Sequence, residues 1–232
     1  MKLVFDIGYN KGLFATECHR LHPNCLVVGI EANENLTKNI TNTQNLFILN
    51  ALVSDKPNDA VEFYIEHGQT GISTASKAYT ENSRFAKGSM HLPPNSGHWS
   101  PPVKVRTVTL DQIVKKFGTP DLIKIDVEGY EYEVLKGLTS KQKTVCFEWH
   151  EEDLETLVSC VEHLIKIGYT NFGTIGHFMN KSNLPVTLTH NDKGDPFMVE
   201  PNSYHSWDTL KNDILAVCDK NRRVTYGMFF AK

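Results

Sequence analysis

Apolar residues in this chain fall into short unbroken runs, separated by glycine-bearing turns and by stretches with helical spacing. The runs are Leu3-Val-Phe5, Leu26-Val-Val-Gly-Ile30, Leu46-Phe-Ile-Leu49, Leu122-Ile-Lys-Ile125 and Thr144-Val-Cys-Phe147. Apolar runs without alternation read as strands buried on both faces of a parallel sheet. The stretches between them predict helices over 13–21, 32–39, 109–117 (Thr109 as cap), 130–136 and 153–167. In the last of these, Leu154, Leu157, Val158, Val161 and Leu164 form one stripe. Residues 60–65 alternate, which predicts a strand with one wet face, and 103–108 resumes as a strand. A sixth core strand is expected at 169–175 and a seventh at 225–231, with a helix over 207–217 between them. Strands alternating with helices give an α/β fold in a single domain with no internal repeat.

The first run ends in a distinctive turn. Phe5-Asp-Ile-Gly-Tyr-Asn-Lys-Gly12 carries two glycines, and Pro23 stops the helix that follows. Strand, glycine turn and helix form the opening unit of a nucleotide-binding sheet, because glycines let backbone approach a ligand and the helix start offers unpaired N–H groups. A dinucleotide fingerprint would read G-x-G-x-x-G, but this loop reads Asp6-x-Gly8-x-Asn10-x-Gly12. A carboxylate at the strand end repels a pyrophosphate and suits a ligand bearing an ammonium and a sulfonium, as S-adenosylmethionine does. Glu31, about 20 residues further on, is placed to accept from ribose hydroxyls. The expected cofactor groove is therefore Asp6, Gly8, Tyr9, Asn10 and Gly12, then Glu31 and Ala32. Asn50, Ala51 and Leu52 complete it beside the adenine, with Asp126 at the end of the fourth strand.

Composition narrows the partners. With 24 Lys and Arg against 27 Asp and Glu, the 232-residue chain carries a net charge of −3. A nucleic-acid backbone reader carries a basic excess, so no nucleic-acid partner is expected. No apolar run approaches the ~20 residues that cross a bilayer, and Met1 leads straight into the first strand with no signal peptide. Five cysteines without scaffold spacing fit a reducing, cytoplasmic setting. Cys18, His19, His22 and Cys25 look like a metal tract but fall on a short helix and its exit, so they are read as structural.

Residues 67–102 are rich in Gly, Ser, Thr, Asn, Pro and His with little periodicity. Loops of this length in compact domains are functional or disordered. This insertion, with a second at about 177–224, is expected to form an acceptor lid. Ser73, Thr74, His91, His98 and Trp99 would hydrogen-bond and stack on a sugar, and a mobile linker is the equal alternative. A chain that starts at its first strand also suggests one domain of a longer glycan-modifying protein.

The chain resembles the FkbM family of S-adenosylmethionine-dependent methyltransferases. The matching pieces are Phe5-Asp-Ile-Gly-Tyr-Asn-Lys-Gly-Leu-Phe14, Val28-Gly-Ile-Glu-Ala-Asn33, Ala51-Leu-Val-Ser-Asp55, Val108-Thr-Leu-Asp111, Ile123-Lys-Ile-Asp-Val-Glu-Gly-Tyr-Glu131 and Val134-Leu-Lys-Gly137. They cover residues 3 to about 150. Tyr9 departs from the small residue usual at that position. The resemblance implies a class I methyltransferase Rossmann-like fold: a seven-stranded, mostly parallel sheet with helices on both faces and strand seven antiparallel. It also implies methyl transfer to a hydroxyl, often on a sugar or glycosylated metabolite, so the partner is a small-molecule or glycan acceptor.

The chemistry calls for a base. A hydroxyl is a poor nucleophile at neutral pH, and displacement at a sulfonium methyl needs it held in line. Strand alternation puts Lys124, Asp126 and Glu128 on one side of the fourth strand and Glu148 and His150 on one side of the fifth. His150 is the expected base, assisted by Asp126 and Glu148, with Glu128 in reserve. In the structural alternative, Asp126 and Glu131 cap a helix and Glu148 pairs with Lys124. A divalent ion such as Mg2+ on Asp126, Glu148 and His150 is a minority reading. Two other functions stay open: an N-methyltransferase, which would want Asn/Asp-Pro-Pro-aromatic where Asp126-Val-Glu-Gly129 stands, and a non-catalytic glycan-binding module on the same fold.

Overall fold

The computed structural model describes residues 1–86, 97–178, 184–191, 200–218 and 225–232. In chain order the first half contains β1 (Leu3–Ile7), α1 (Leu13–Leu21), β2 (Leu26–Glu31), α2 (Glu34–Thr37), β3 (Leu46–Asn50), β4 (Leu52–Val53), β5 (Ala60–Phe63) and α3 (Lys77–Asn82). There follow β6 (Val103–Val108), α4 (Leu110–Phe117), β7 (Leu122–Ile125), α5 (Glu131–Lys136), β8 (Val145–His150) and α6 (Leu154–Lys166). The chain ends with β9 (Phe172–His177), β10 (Leu188–His190), α7 (Trp207–Val217) and β11 (Tyr226–Ala231).

Among the described residues, eight strands make the main sheet, in the order β10-β9-β11-β8-β7-β1-β2-β3. All neighbours pair in parallel except β11, which runs antiparallel to β8 and β9. This is the expected doubly wound sheet, with the last strand in the chain antiparallel. The count is eight rather than seven, because Leu188–His190 adds a parallel edge strand to β9. Three residues carry too little periodicity to announce a strand.

Alternation sorts the core into two layers. Phe5, Ile7, Val28, Ile30, Ile123, Ile125 and Phe147 face one side, where they pack with buried residues of α4, α5, α6 and α7. Val4, Val27, Leu122, Cys146, Met228 and Phe230 face the other, against Phe14, Ala15 and Cys18 of α1. Burying one such large apolar side chain stabilises the fold by about 1.5–3 kcal/mol. Cys18 and Cys25 are both buried in this second layer.

Several expectations shift by a few residues, for identifiable reasons. The helix expected over 32–39 shrinks to Glu34–Thr37, capped by Asn33. The sixth strand starts at Phe172 instead of 169, because Tyr169 is a fully buried core residue whose hydroxyl takes the Gln142 N–H at 2.9 Å. Residues 60–63 and 103–108 do form strands, but in a separate three-stranded sheet of order β4-β6-β5. At α4, Thr109 caps as expected, and Gln112 closes a capping box with it.

Candidate active site

The order reverses between β1 and β7, and ligands of open α/β sheets bind at that switch point, beyond the carboxyl ends of the strands. A cavity of about 220 Å³ opens there. Gly8 and Asn10 from the first turn, Glu31 and Ala32 at the end of β2, and Ala51 and Leu52 after β3 line one half of it. Asp126, Val127, Glu128 and Tyr130 after β7 and Glu148 on β8 line the other. Gly8 has φ +79°, and a Cβ there would overlap the Asp126 carbonyl, so the turn can lie this close to β7 only as glycine. Glu31 accepts the backbone N–H groups of Asn10 at 2.7 Å and Asn33 at 2.8 Å. It thus ties the first two turns together at the cavity wall. Burial pushes its carboxyl up, against the pull of those two backbone donors.

Four expected groove residues lie elsewhere. Asp6 is fully buried within β1, on the face that α1 covers, 3.1 Å from Lys124 Nζ. It is inside the core because β1 continues through Ile7, so the carboxylate does not stand at the strand end. Tyr9 fills the space under the turn: a Cβ on Gly12 or on Gly29 would overlap its ring. This accounts for Gly12, which is buried against Tyr9 and does not line the cavity. Asn50 is exposed and donates to the carbonyls of Glu31 at 2.9 Å and Ala32 at 3.3 Å, which braces the second turn from outside.

The carboxylates converge as expected, though by a different route for Glu128. β7 ends at Ile125, so alternation does not carry to Glu128; a left-handed residue there, φ +57°, swings the side chain back. Lys124 lies between Asp6 and Asp126, with Nζ at 3.4 Å from Asp126. The alternative pairing of Lys124 with Glu148 is therefore not the one made. Glu148 instead meets His150 Nε2 at 3.1 Å. Glu131 Oε1 takes the N–H groups of Val127 at 3.1 Å and Gly129 at 3.3 Å, so it caps the turn.

Burial and mutual repulsion govern the protons here. Burial drives Asp126 up, Lys124 pulls it back, and Glu148 and Glu131 leave it at about 8. Glu128 is pushed up by burial and by the Glu148 and Asp126 charges. Burial also works to raise Glu148, but His150 outweighs it and holds the carboxyl below its usual value. Against burial, Glu148 raises His150 in return. Each partner thus favours the charged form of the other, with Glu148 as the carboxylate of the pair. His150 lines a second cavity of about 200 Å³, and Glu148 stands on the walls of both.

The first insertion supplies the remaining wall. Thr70, Gly71, Ser73 and Ala75 face the first cavity. Thr70 donates to the Asn10 side chain at 3.0 Å and Thr74 to the Glu128 carbonyl at 2.7 Å. Tyr79 on α3 donates its hydroxyl to the Glu128 carboxylate. Arg84 makes a buried bidentate pair with Glu152 at 2.5 and 2.8 Å and donates to the Thr225 carbonyl at 3.0 Å. Trp99 donates to the Ile72 carbonyl at 2.9 Å, so it braces the insertion instead of facing a ligand. His91 lies outside the described residues, as do parts of the second insertion. Tyr79 and Arg84 could not be singled out in the sequence, since their partners stand 49 and 68 residues away.

As a metal centre, the trio available among the described residues is Glu128, Glu148 and His150, whose ligand atoms lie within 4.8 Å of one another. Asp126, expected in that set, is replaced by Glu128. The donors are engaged with each other and with Tyr79, and we assign no metal to them.

A family profile described as "Methyltransferase FkbM domain" matches residues 6–165, more than half of the chain. No curated protein matches at a significant level. Among solved structures, the chain is similar to methyltransferase FkbM from Methylobacillus flagellatus, with 14% identity and a TM-score of 0.45 over 75% of this chain and 39% of that one. It is also similar to precorrin-6y C5,15-methyltransferase from Geobacter metallireducens, with 14% identity and a TM-score of 0.39 over 99% of this chain and 80% of that one. The plantazolicin methyltransferase BpumL in complex with SAH aligns at 10% identity and a TM-score of 0.40, covering 100% of this chain and 76% of that one. With the profile spanning the first turn, Glu31 and the carboxylate cluster, the chain belongs to the FkbM family of methyltransferases.

Proposed function

We propose that the chain is an S-adenosylmethionine-dependent O-methyltransferase acting on a hydroxyl, most simply that of a sugar in a glycan or glycosylated metabolite. The first cavity suits the cofactor. Gly8 leaves room for a close approach, and Glu31 retains acceptor capacity for ribose hydroxyls beyond the two backbone N–H groups it holds. Ala51 and Leu52 offer an apolar rest for a base. When bound, S-adenosylmethionine supplies an electrophilic methyl group.

The observation that carries the hydroxyl reading is the position of Glu148, common to both cavities and ionised by its His150 partner. In this reading the acceptor enters the second cavity, and Glu148 takes its proton as the oxygen attacks. His150 holds Glu148 oriented and charged. This revises the expected roles of the two residues, because Glu148 favours the protonated form of His150 and His150 the ionised form of Glu148. The carboxylates around Asp126 would also hold a protonated amine, so N-methylation is the second reading.

The test is incubation of the protein with methyl-labelled cofactor and a library of sugars, glycosides and amines, followed by mass spectrometry. Label on a hydroxyl supports the proposal. Label on amines alone selects the second reading, and cofactor binding without any turnover leaves a binding module.

A further inference from the structure

The second cavity, which the proposed function gives to the acceptor, is walled by four carboxyl side chains: Glu131, Glu148, Glu152 and Asp153. Neither cavity has a lysine or arginine among the described residues on its wall. The cations behind the walls are engaged by the protein itself. Lys124 Nζ stands between Asp6 and Asp126, at 3.1 and 3.4 Å. Arg84 grips Glu152 and donates to the Thr225 carbonyl. His150 Nε2 meets Glu148 at 3.1 Å. Backbone donors at helix starts, which bind anions in other proteins, are taken as well. At the start of α6, Asp153 accepts the Thr156 N–H at 3.1 Å. In the turn before α5, Glu131 accepts from Val127 and Gly129. An incoming carboxylate or phosphate therefore meets carboxyl groups beside cations that are already paired. Among the described residues of this wall, one buried side-chain atom has no hydrogen-bond partner: Nδ1 of His150, a residue 8% exposed. A hydroxyl both donates and accepts, so it suits that nitrogen in either proton state.

We infer that the second cavity selects its acceptor by charge: it takes a sugar whose reacting ring is uncharged or carries an ammonium group, and rejects one whose ring carries a carboxylate or a phosphate. The inference rests on the acceptor reading given above and names the class of acceptor within it. In a cavity of about 200 Å³, a charged group on the reacting ring cannot stand far from the four carboxyl groups. Like charges brought together away from bulk water repel, whereas an ammonium group finds acceptors among them. Asp153 and Glu131 thus do two things at once. Each closes a backbone turn, and each denies the N–H groups of that turn to an anion. A neutral sugar meets no such repulsion, and its hydroxyls can donate to the same carboxylate oxygens. Neutral and amino sugars fall inside the class; uronic acids and phosphorylated sugars fall outside it. The reaction that supplies the acceptor therefore leaves the ring without an acidic group, as glycosyl transfer does.

The experiment is a competition assay with the full chain, methyl-labelled cofactor and matched methyl glycosides at low ionic strength. Each hexose is supplied in four forms: neutral, amino, uronic acid and phosphorylated. Labelled products are counted by mass spectrometry. The neutral and amino forms should be labelled at least about tenfold more than the two acidic forms of the same sugar, since like-charge juxtaposition is costly. Asp153→Asn removes one charge and keeps a side-chain oxygen to cap α6. It should raise the ratio of acidic to neutral product by roughly three- to tenfold, the worth of one partly screened charge. A merely structural effect of the substitution would lower all products together and leave that ratio unmoved. Equal or preferential labelling of the acidic forms by the wild type overturns the charge rule alone, and so does a ratio that Asp153→Asn leaves unchanged. Absence of label on every form overturns the acceptor reading on which the rule rests.

Discussion

Among the individual residues, the acids Glu31 and Glu148 line the two halves of the first cavity, and the proposed function gives one the cofactor and the other the acceptor. Glu148→Gln removes the ionised proton acceptor and should lower kcat by roughly 10²–10⁴, with S-adenosylhomocysteine affinity nearly unchanged by calorimetry. His150→Ala should lower kcat less and shift the pH profile of kcat, because His150 acts by holding Glu148 below its usual value. Glu31→Ala should weaken cofactor binding by about 1–3 kcal/mol, since the ribose and two backbone N–H groups lose a charged acceptor. Unchanged affinity would remove Glu31 from the site. The sequence made these residue types visible because each follows an apolar run directly. It did not reveal that Asp6 belongs to the run itself. Nor did it reveal that Tyr9 and Gly12 form a packing pair, since a ring over a glycine is a contact in three dimensions with no spacing of its own.

Among the elements, the insertion that carries α3 is fastened at its far end by the Arg84–Glu152 pair. Both side chains are 8% exposed. Replacing one partner leaves a charge uncompensated, and Arg84→Met should destabilise the protein by about 3–5 kcal/mol in denaturant unfolding. The first cavity is small beside the roughly 300–1,000 Å³ of most ligand clefts, with residues 70–75 forming one wall. Hydrogen exchange over 70–86 should therefore change when S-adenosylhomocysteine binds. No change there would mean that the wall stays in place on binding. The strands were legible because a parallel strand covered on both faces has to be apolar throughout, as Val27-Val28 and Ile123 are. β10 was not, being three residues long. The pairing of β4, β5 and β6 into a sheet of their own was not legible either, because apolar alternation fixes which face is buried and not which strand is the neighbour.

For the whole molecule, the buried acids tie stability to pH. Asp126 is raised to about 8 and Glu131 to about 7, each chiefly by burial. A raised carboxyl binds its proton more tightly in the folded chain than in the unfolded one. The stability it contributes is full below the ordinary carboxylate range and is lost as pH climbs through the raised value. The Tm of the ligand-free protein should accordingly fall between pH 6 and pH 9, and Asp126→Asn should flatten that fall. A Tm that rises across the interval would contradict the assignment. The doubly wound sheet and its switch point follow from the alternation of strands and helices, which is why the general place of the site was readable. Its proton content was not, because it arises where β7, β8 and α3 meet. The most direct single measurement is transfer of a labelled methyl group to a library of hydroxyl-bearing acceptors, read by mass spectrometry for the wild-type chain and for Glu148→Gln. Label on an acceptor oxygen with the wild type, and its loss in the variant at unchanged cofactor affinity, is the predicted result. Undiminished transfer by Glu148→Gln, or label found only on nitrogen, would contradict it.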